Sequence, residues 1–298
     1  MFRNISGILV TFLAAFCWAL ASIFYRKAST KLPSVFTVNV LRVPLALVFL
    51  YIVVSLRGGF GLILEVFCDY DSLLILFLAT FIMNVLGDSM YLLAIRNIGV
   101  SIGYPLSYMY PVFVSILAII ILGEQQDPSI FAGTFMAILG IWLISQRNKD
   151  YASVTDMKRF VVGVLAGVGA AVCFALGIIL FRIAVLGLEP ILVATVKLIL
   201  LPALIFPIVF KEFVGTRKNL DMKALLIAMV GGVFGLGVGD WLFYVGLDEI
   251  GASLAATITT SSPMMSLLLA IILLKERMNA KQAFGVLLII LGVLLSIS

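Results

Sequence analysis

Four charged residues lie where charge is costly. Arg42, Asp88, Lys197 and Asp240 each interrupt a long apolar run. Ionisable groups inside a bilayer mark substrate paths, proton relays or mutual neutralisation. Arg42 lies about two helical turns into one run, and Asp88 about two turns before the end of the next. Lys197 and Asp240 repeat that arrangement in the second half of the chain. The order of the runs places each opposite-sign pair at one depth, and the two depths mirror each other. Two roles stand side by side. Each pair can be structural, cancelling a charge that hydrocarbon would not tolerate, or one or both can bind a charged solute or exchange a proton.

Other chemistry is limited by what the chain lacks. There is no histidine, the commonest general base and metal ligand. Ser-His-acid catalysis and histidine-rich zinc chemistry are therefore excluded. Cys17, Cys68 and Cys173 make no CxxC pair, so neither a zinc site nor a disulfide framework is expected. Cys17 and Cys173 lie inside apolar runs and read as inert core thiols. No GxxxxGK[ST] loop is present, so the chain carries no ATP-hydrolysing part. No cofactor and no metal are expected.

The elements that hold these charges follow from composition. The 298 residues are 63% hydrophobic and 12% charged, with a mean hydropathy of +1.23. Soluble domains are about 45–50% apolar and about 25% charged. A soluble globule, a disordered chain and a nucleic-acid-binding module are excluded, despite a net charge of +5. The lipid bilayer is the solvent. Its hydrocarbon core needs about 20 apolar residues per helix. Ten runs qualify: 6–26, 34–56, 72–95, 101–122, 129–146, 160–184, 190–211, 222–247, 251–274 and 280–297. The expected fold is an all-α integral membrane protein of ten transmembrane helices. The runs do not alternate, which excludes barrel strands. The first is expected to be a permanent helix, because a removable leader would not have a close copy at residue 163.

The two halves are copies. Gly7-Ile8-Leu9, Ala14 to Leu20 and Arg26 match Gly163-Val164-Leu165, Ala170 to Leu176 and Arg182 at a constant offset of 156. Gly87-Asp88, Ile98 to Ser101, Pro111, Glu124 and Gly133 match Gly239-Asp240, Ile250 to Ser253, Pro263, Glu276 and Gly285 at 152. The expected organisation is a first five-helix repeat over 1–148, a cytoplasmic linker over 149–159 and a second repeat over 160–298. Five is odd, so the copies enter the membrane from opposite sides. Inverted repeats offer two related packings of one structure, the usual basis of alternating access.

Ten spans in a five-plus-five repeat, each half ending in proline, an apolar stretch, Leu-x-Glu and glycine, resemble the EamA family of the drug/metabolite transporter superfamily. The residues that carry the likeness are Pro111, Glu124 and Gly133, then Pro263, Glu276 and Gly285, with the Gly-Asp and Ile-Gly-x-Ser text before them. The resemblance implies a transporter whose spans 1, 3, 4, 6, 8 and 9 surround a central chamber. It does not specify a substrate.

Orientation follows the basic residues. One side holds Arg3, Arg57 and Arg182. The other holds fifteen Lys and Arg, among them Arg26, Arg96, Arg147, Lys158 and Lys275. Loops after odd-numbered spans are expected in the cytoplasm, with both termini outside, although the resemblance implies both termini inside. The basic surface reads as orientation beside anionic lipid, with no nucleic-acid partner.

Candidate cavity residues are Trp18, Asn84, Asp88, Tyr91, Tyr104, Tyr108, Phe174, Asp240, Tyr244, Thr257, Thr260 and Ser261. Ser101 and Ser115 share a helical face with Tyr104 and Tyr108, and Ser253 does so with Thr257 and Thr260. Such polar stripes on apolar helices serve either a cavity or interhelical hydrogen bonds. Pro111 and Pro263 should kink spans 4 and 9, as static bends or as hinges. The glycines from Gly231 to Gly239 point to a thin span 8, closely packed or locally unwound. Arg26 and Arg182 should snorkel to the interface. Glu124 and Glu276 should cap the helices that follow them or act as hinges.

The expected function is secondary active transport. A small metabolite, such as an amino acid or a related compound, would be exported across the cell membrane by alternating access. Its partners are the substrate, the lipid bilayer and a coupling proton or ion, and a monomer suffices. Alternatives are a flippase for a lipid-linked precursor and, from another class, an intramembrane enzyme. If a pair is functional, Asp240→Asn should abolish or uncouple transport with expression intact.

Overall fold

The computed structural model describes residues 5–29, 40–57, 59–98, 100–145, 157–216, 221–274 and 278–298. A bilayer offers no water to backbone polar groups, so a spanning segment must satisfy them internally. No β-strand occurs among the described residues.

Nine described helices are long and apolar enough to cross a membrane. They are Ile5–Ala28 (span 1), Tyr70–Ile98 (span 3), Ile102–Leu122 (span 4), Pro128–Ser145 (span 5), Met157–Val185 (span 6), Pro190–Pro207 (span 7), Met222–Ile250 (span 8), Ala252–Leu273 (span 9) and Ala280–Ile297 (span 10). At the place of span 2 stands helix Val43–Arg57, and helix Phe60–Cys68 follows it at 103°. Gly59, with φ 85°, stands at the bend and accepts a backbone conformation that side chains resist. The expected linker falls mostly outside the described residues, as does the start of the expected span 2. Span 6 begins at Met157. Large apolar side chains such as Leu13, Ile120, Phe135 and Ile272 are exposed on the outer surface, where lipid covers them.

Spans 5 and 10 cross through four glycines. Gly133 lies against Gly292, and Gly140 against Gly285. A Cβ on Gly140 or on Gly292 would sit 2.5 Å from the carbonyl oxygen of the opposite glycine. Gly285 is the repeat counterpart of Gly133, and Gly292 that of Gly140. Each copy therefore meets the other through the same patch, as a two-fold axis requires. The helices run antiparallel through this contact, so the axis lies in the membrane plane and the repeats are inverted.

Spans 3 and 8 also match. Each contains seven π-helical residues, Phe81–Gly87 and Val233–Gly239. The wider turn lets the Asp88 amide donate to Met83 O and the Asp240 amide donate to Gly235 O. Span 8 is thus a bulged helix, not an unwound one. Its glycines admit neighbours: a Cβ on Gly239 would sit 2.7 Å from Trp18 Cδ1, and one on Gly232 would overlap the Arg42 carbonyl. π-Bulges re-aim side chains and are common at functional sites.

Spans 4 and 9 break where their prolines dictate. A proline ring collides with the carbonyl four residues back, which here is Ser107 or Thr259. The helices Val100–Ser107 and Ala252–Thr259 end on those residues. They resume as Tyr110–Leu122 and Ser261–Leu274.

Candidate functional site

The inverted halves enclose a cavity of about 280 Å³. Span 1 contributes Trp18, Ala21 and Tyr25. Span 3 contributes Met83, Asn84, Asp88 and Tyr91. Span 4 contributes Tyr108 and Tyr110, and span 6 contributes Phe174 and Ile178. Span 8 adds Gly235, Leu236, Asp240 and Phe243, while Arg42 and Lys197 enter from spans 2 and 7. The chamber differs from the one implied by the resemblance, since span 9 supplies no lining side chain.

The two ion pairs are both formed. Lys197 Nζ stands 2.7 Å from Asp240 Oδ2, and Arg42 Nη2 stands 3.9 Å from Asp88 Oδ2. Each cation also lies over an aromatic ring. Arg42 Cζ is 5.5 Å from the Tyr25 centroid, and Lys197 Nζ is 5.5 Å from the Phe181 centroid. Tyr25 and Phe181 are counterparts at offset 156, so cation, ring and carboxylate recur as a unit.

The units are unequal. Lys197 and Asp240 side chains are 3% and 9% exposed, against 16% and 28% for Arg42 and Asp88. Asp240 Oδ1 also accepts a hydrogen bond from Trp18 Nε1 at 2.9 Å. The counterpart of Trp18 is Phe174, whose ring has no N–H to donate. One pair is therefore tight and buried, while the other is looser and more exposed. The cavity floor also holds two unpartnered polar atoms among the described residues, Arg42 Nε and Asn84 Oδ1.

Of the sequence-derived candidates, Trp18, Asn84, Asp88, Tyr91, Tyr108, Phe174 and Asp240 line the cavity. Five others do not. Tyr104 stacks behind Tyr108, with ring centroids 4.2 Å apart. Tyr244 is buried against Phe181 at 4.8 Å and helps to surround Lys197. Thr257 bonds Thr134 at 2.7 Å. Thr260 and Ser261 donate back to Thr257 O and Ile258 O, filling valences freed at the Pro263 break. Ser115 and Ser253 also lie off the cavity wall.

Sequence reasoning missed Tyr25, Tyr110, Met83 and Phe243. Tyr25 was within reach, because it continues the Trp18–Ala21 face of one helix. Tyr110 was not, because it follows the break and leaves the helical periodicity of span 4.

A second polar cluster lies at the end of the bundle where span 4 ends and span 9 begins. Glu124 was expected at the start of span 5. Instead its Oε1 accepts from the Ala252 amide at 2.9 Å, capping span 9 in the other repeat. Glu276 lies outside the described residues. Arg182 does more than snorkel, since it stands 3.7 Å from Glu124 and 3.5 Å from Asp248. Arg26 is exposed. No group of three or more His, Cys, Asp or Glu suited to a metal occurs among the described residues.

The comparisons with known proteins agree with this architecture. The model of the EamA-like transporter family matches residues 5–146 and 161–298. An uncharacterized transporter of Archaeoglobus fulgidus is 28% identical over 288 residues, covering 97% of this chain and 96% of the relative. The uncharacterized transporter YwfM of Bacillus subtilis is 22% identical over 207 residues, covering 69% and 67%. A solved crystal structure superposes with a TM-score of 0.78 at 16% identity, covering 98% of this chain and 97% of that one. That likeness confirms the fold alone. Two matched repeats spanning nearly the whole chain establish that this multi-pass membrane protein belongs to the EamA-like transporter family, within the drug/metabolite transporter superfamily.

Proposed function

We propose that the protein exports a small zwitterionic metabolite of the amino-acid class across the cell membrane, by alternating access of its inverted repeats. The observation that carries this reading is the Arg42–Asp88 pair. At 3.9 Å, and more exposed than its counterpart, it is loose enough to be parted by an incoming solute. A carboxylate would bind Arg42 and an ammonium group Asp88, so each charge is replaced rather than stranded. Asn84 Oδ1 offers a further acceptor, and Trp18, Tyr91 and Phe174 supply apolar walls. The Lys197–Asp240 pair, already satisfied, holds the opposite wall. Trp18, Tyr108 and the other lining aromatics act as binding surface.

The charge bias puts loops after odd-numbered spans in the cytoplasm. On that orientation Arg42 and Asp88 face the cytoplasmic end, which suits loading for export. A proton or ion, or exchange of a second solute, would drive uphill movement. A monomer already contains both repeats.

The test is a panel of L-amino acids and their amides with purified protein. A ligand that binds the folded state raises its apparent stability. Amino acids should stabilise the wild type. Their amides, which lack the carboxylate, should not, and Asp88→Asn should lose the effect. Labelled solute should then show trans-stimulated counterflow in proteoliposomes, as a carrier does and a channel does not. Equal stabilisation by the amides, or flux without trans-stimulation, would overturn the reading.

A further inference from the structure

We propose that Glu124 is a latch that holds one end of the bundle shut. The inference rests on the alternating-access reading above. The latch is built around contacts between repeats. Glu124 Oε1 accepts from the Ala252 amide at 2.9 Å, and Glu124 Oε2 accepts from the Ser253 hydroxyl at 3.3 Å. Arg182 Nε lies 3.7 Å from the same carboxylate and joins it to Asp248 on span 8. Gln126 of the first repeat donates to the Ser253 hydroxyl, and Ser6 of span 1 donates to Glu249 at 2.5 Å.

A carboxylate at a helix N-terminus is favoured by unsatisfied amides and by the helix dipole. Gly251 makes the approach possible. Its φ is +79°, and a Cβ there would meet Glu124 Oε1 at 2.9 Å. All these groups lie at the end of the bundle remote from the Arg42–Asp88 pair. That is the end a cavity more exposed at its Arg42–Asp88 pair must keep closed. No opening there is available while one side chain ties the end of span 4 to the start of span 9 and the end of span 6.

The test uses the full chain with its three cysteines replaced and a single reporter, Asn84→Cys, in the cavity wall. The protein is reconstituted in liposomes and labelled with a membrane-impermeant maleimide from one side at a time. The parent should label from the Arg42 end. Glu124→Gln should raise labelling from the opposite end on the order of tenfold, as expected for a lost charge-assisted hydrogen bond. Arg182→Gln, which keeps the helix cap, should act like Glu124→Gln but more weakly, and it serves if Glu124→Gln does not fold.

If the parent reporter is reached from the Arg42 end and Glu124→Gln and Arg182→Gln leave both rates unchanged, the latch is refuted and the transport reading stands. If the parent shows no trans-stimulated counterflow, alternating access itself is refuted.

Discussion

Trp18 hydrogen-bonds Asp240 across the two repeats at 2.9 Å, and Phe174, which holds the place of Trp18 in the second copy, has no N–H to offer Asp88. This difference adds to the inequality between two charge units that differ also in cation, Arg42 against Lys197, and in ring, Tyr25 against Phe181. Duplication supplied two pairs with one geometry. Divergence at a single aromatic gave one pair an extra donor. Asp240, with Lys197 and Trp18 both bonded, behaves as wall. Asp88, with its partner at 3.9 Å, is the carboxylate that we propose a solute engages.

Trp18→Phe removes that donor and gives both copies phenylalanine at this position. A hydrogen bond to a charged acceptor contributes about 1.5–3 kcal/mol. The variant should be less stable by roughly that amount, measured by its unfolding midpoint in a denaturing detergent titration. Carbodiimide modification of Asp240 should also increase relative to wild type. An unchanged midpoint with unchanged modification would mean that the indole N–H contributes nothing to holding Asp240.

The two aspartates should separate in mutagenesis. Asp240→Asn leaves the Lys197 charge, 3% exposed, without its partner. Stranding one member of a buried pair costs about 3–5 kcal/mol, so yield and monodispersity should fall. Asp88→Asn leaves Arg42 partly solvated and over Tyr25, so the protein should fold and lose counterflow. The sequence alone points to intact expression for Asp240→Asn, whereas burial of the Lys197–Asp240 pair favours reduced yield. Size-exclusion profiles and counterflow rates of the two variants decide the matter. Normal yield for Asp240→Asn would show that pair to be less structural than its geometry implies.

The sequence made the fold legible because duplication wrote it twice. Prolines, acids and glycines matched at fixed offsets, and an odd number of spans forced inversion. The charge pairs were legible for the same reason, since few charges interrupt the apolar runs. Thr257, Thr260 and Ser261 were misplaced because a hydroxyl on an apolar helix looks the same whether it faces a cavity or its own backbone. The π-bulges were not legible either. Nothing in Phe81–Gly87 distinguishes it from ordinary helix, and only the glycines of Val233–Gly239 hint at altered packing. The partner of Glu124 was missed because a cap was sought on the next helix, whereas the amides it meets lie 128 positions onward.

The glycine crossing of spans 5 and 10 should tolerate no side chain. Gly140→Ala would place a methyl 2.5 Å from the Gly285 carbonyl oxygen, and backbone cannot yield as a flexible side chain can. Overpacking of this kind typically costs 1–3 kcal/mol, occasionally more. Gly187→Ala is the control, because a Cβ there meets nothing within 4 Å. It should stay within about 0.5 kcal/mol of wild type. Equal stability of the two variants would show that the spans can part at that crossing without penalty.

The breaks in spans 4 and 9 give the last prediction. Val100–Ser107 and Tyr110–Leu122 are separated by Tyr108 and Met109, and this places the Tyr108 and Tyr110 rings on the cavity. Alanine at 111 would restore an amide able to reach Ser107 O and remove the ring that collides with it. The healed helix should be the more stable one, yet its tyrosines would leave their places. If the break also flexes during the transport cycle, Pro111→Ala should lower the counterflow rate by more than it weakens solute binding. If the break is only a fixed bend that positions the tyrosines, binding should weaken first and the maximal rate should hold. Rate and half-saturation measured together for Pro111→Ala separate the two, and Pro263→Ala is the paired variant on a span that reaches the cavity through the Thr259–Tyr110 hydrogen bond at 2.8 Å.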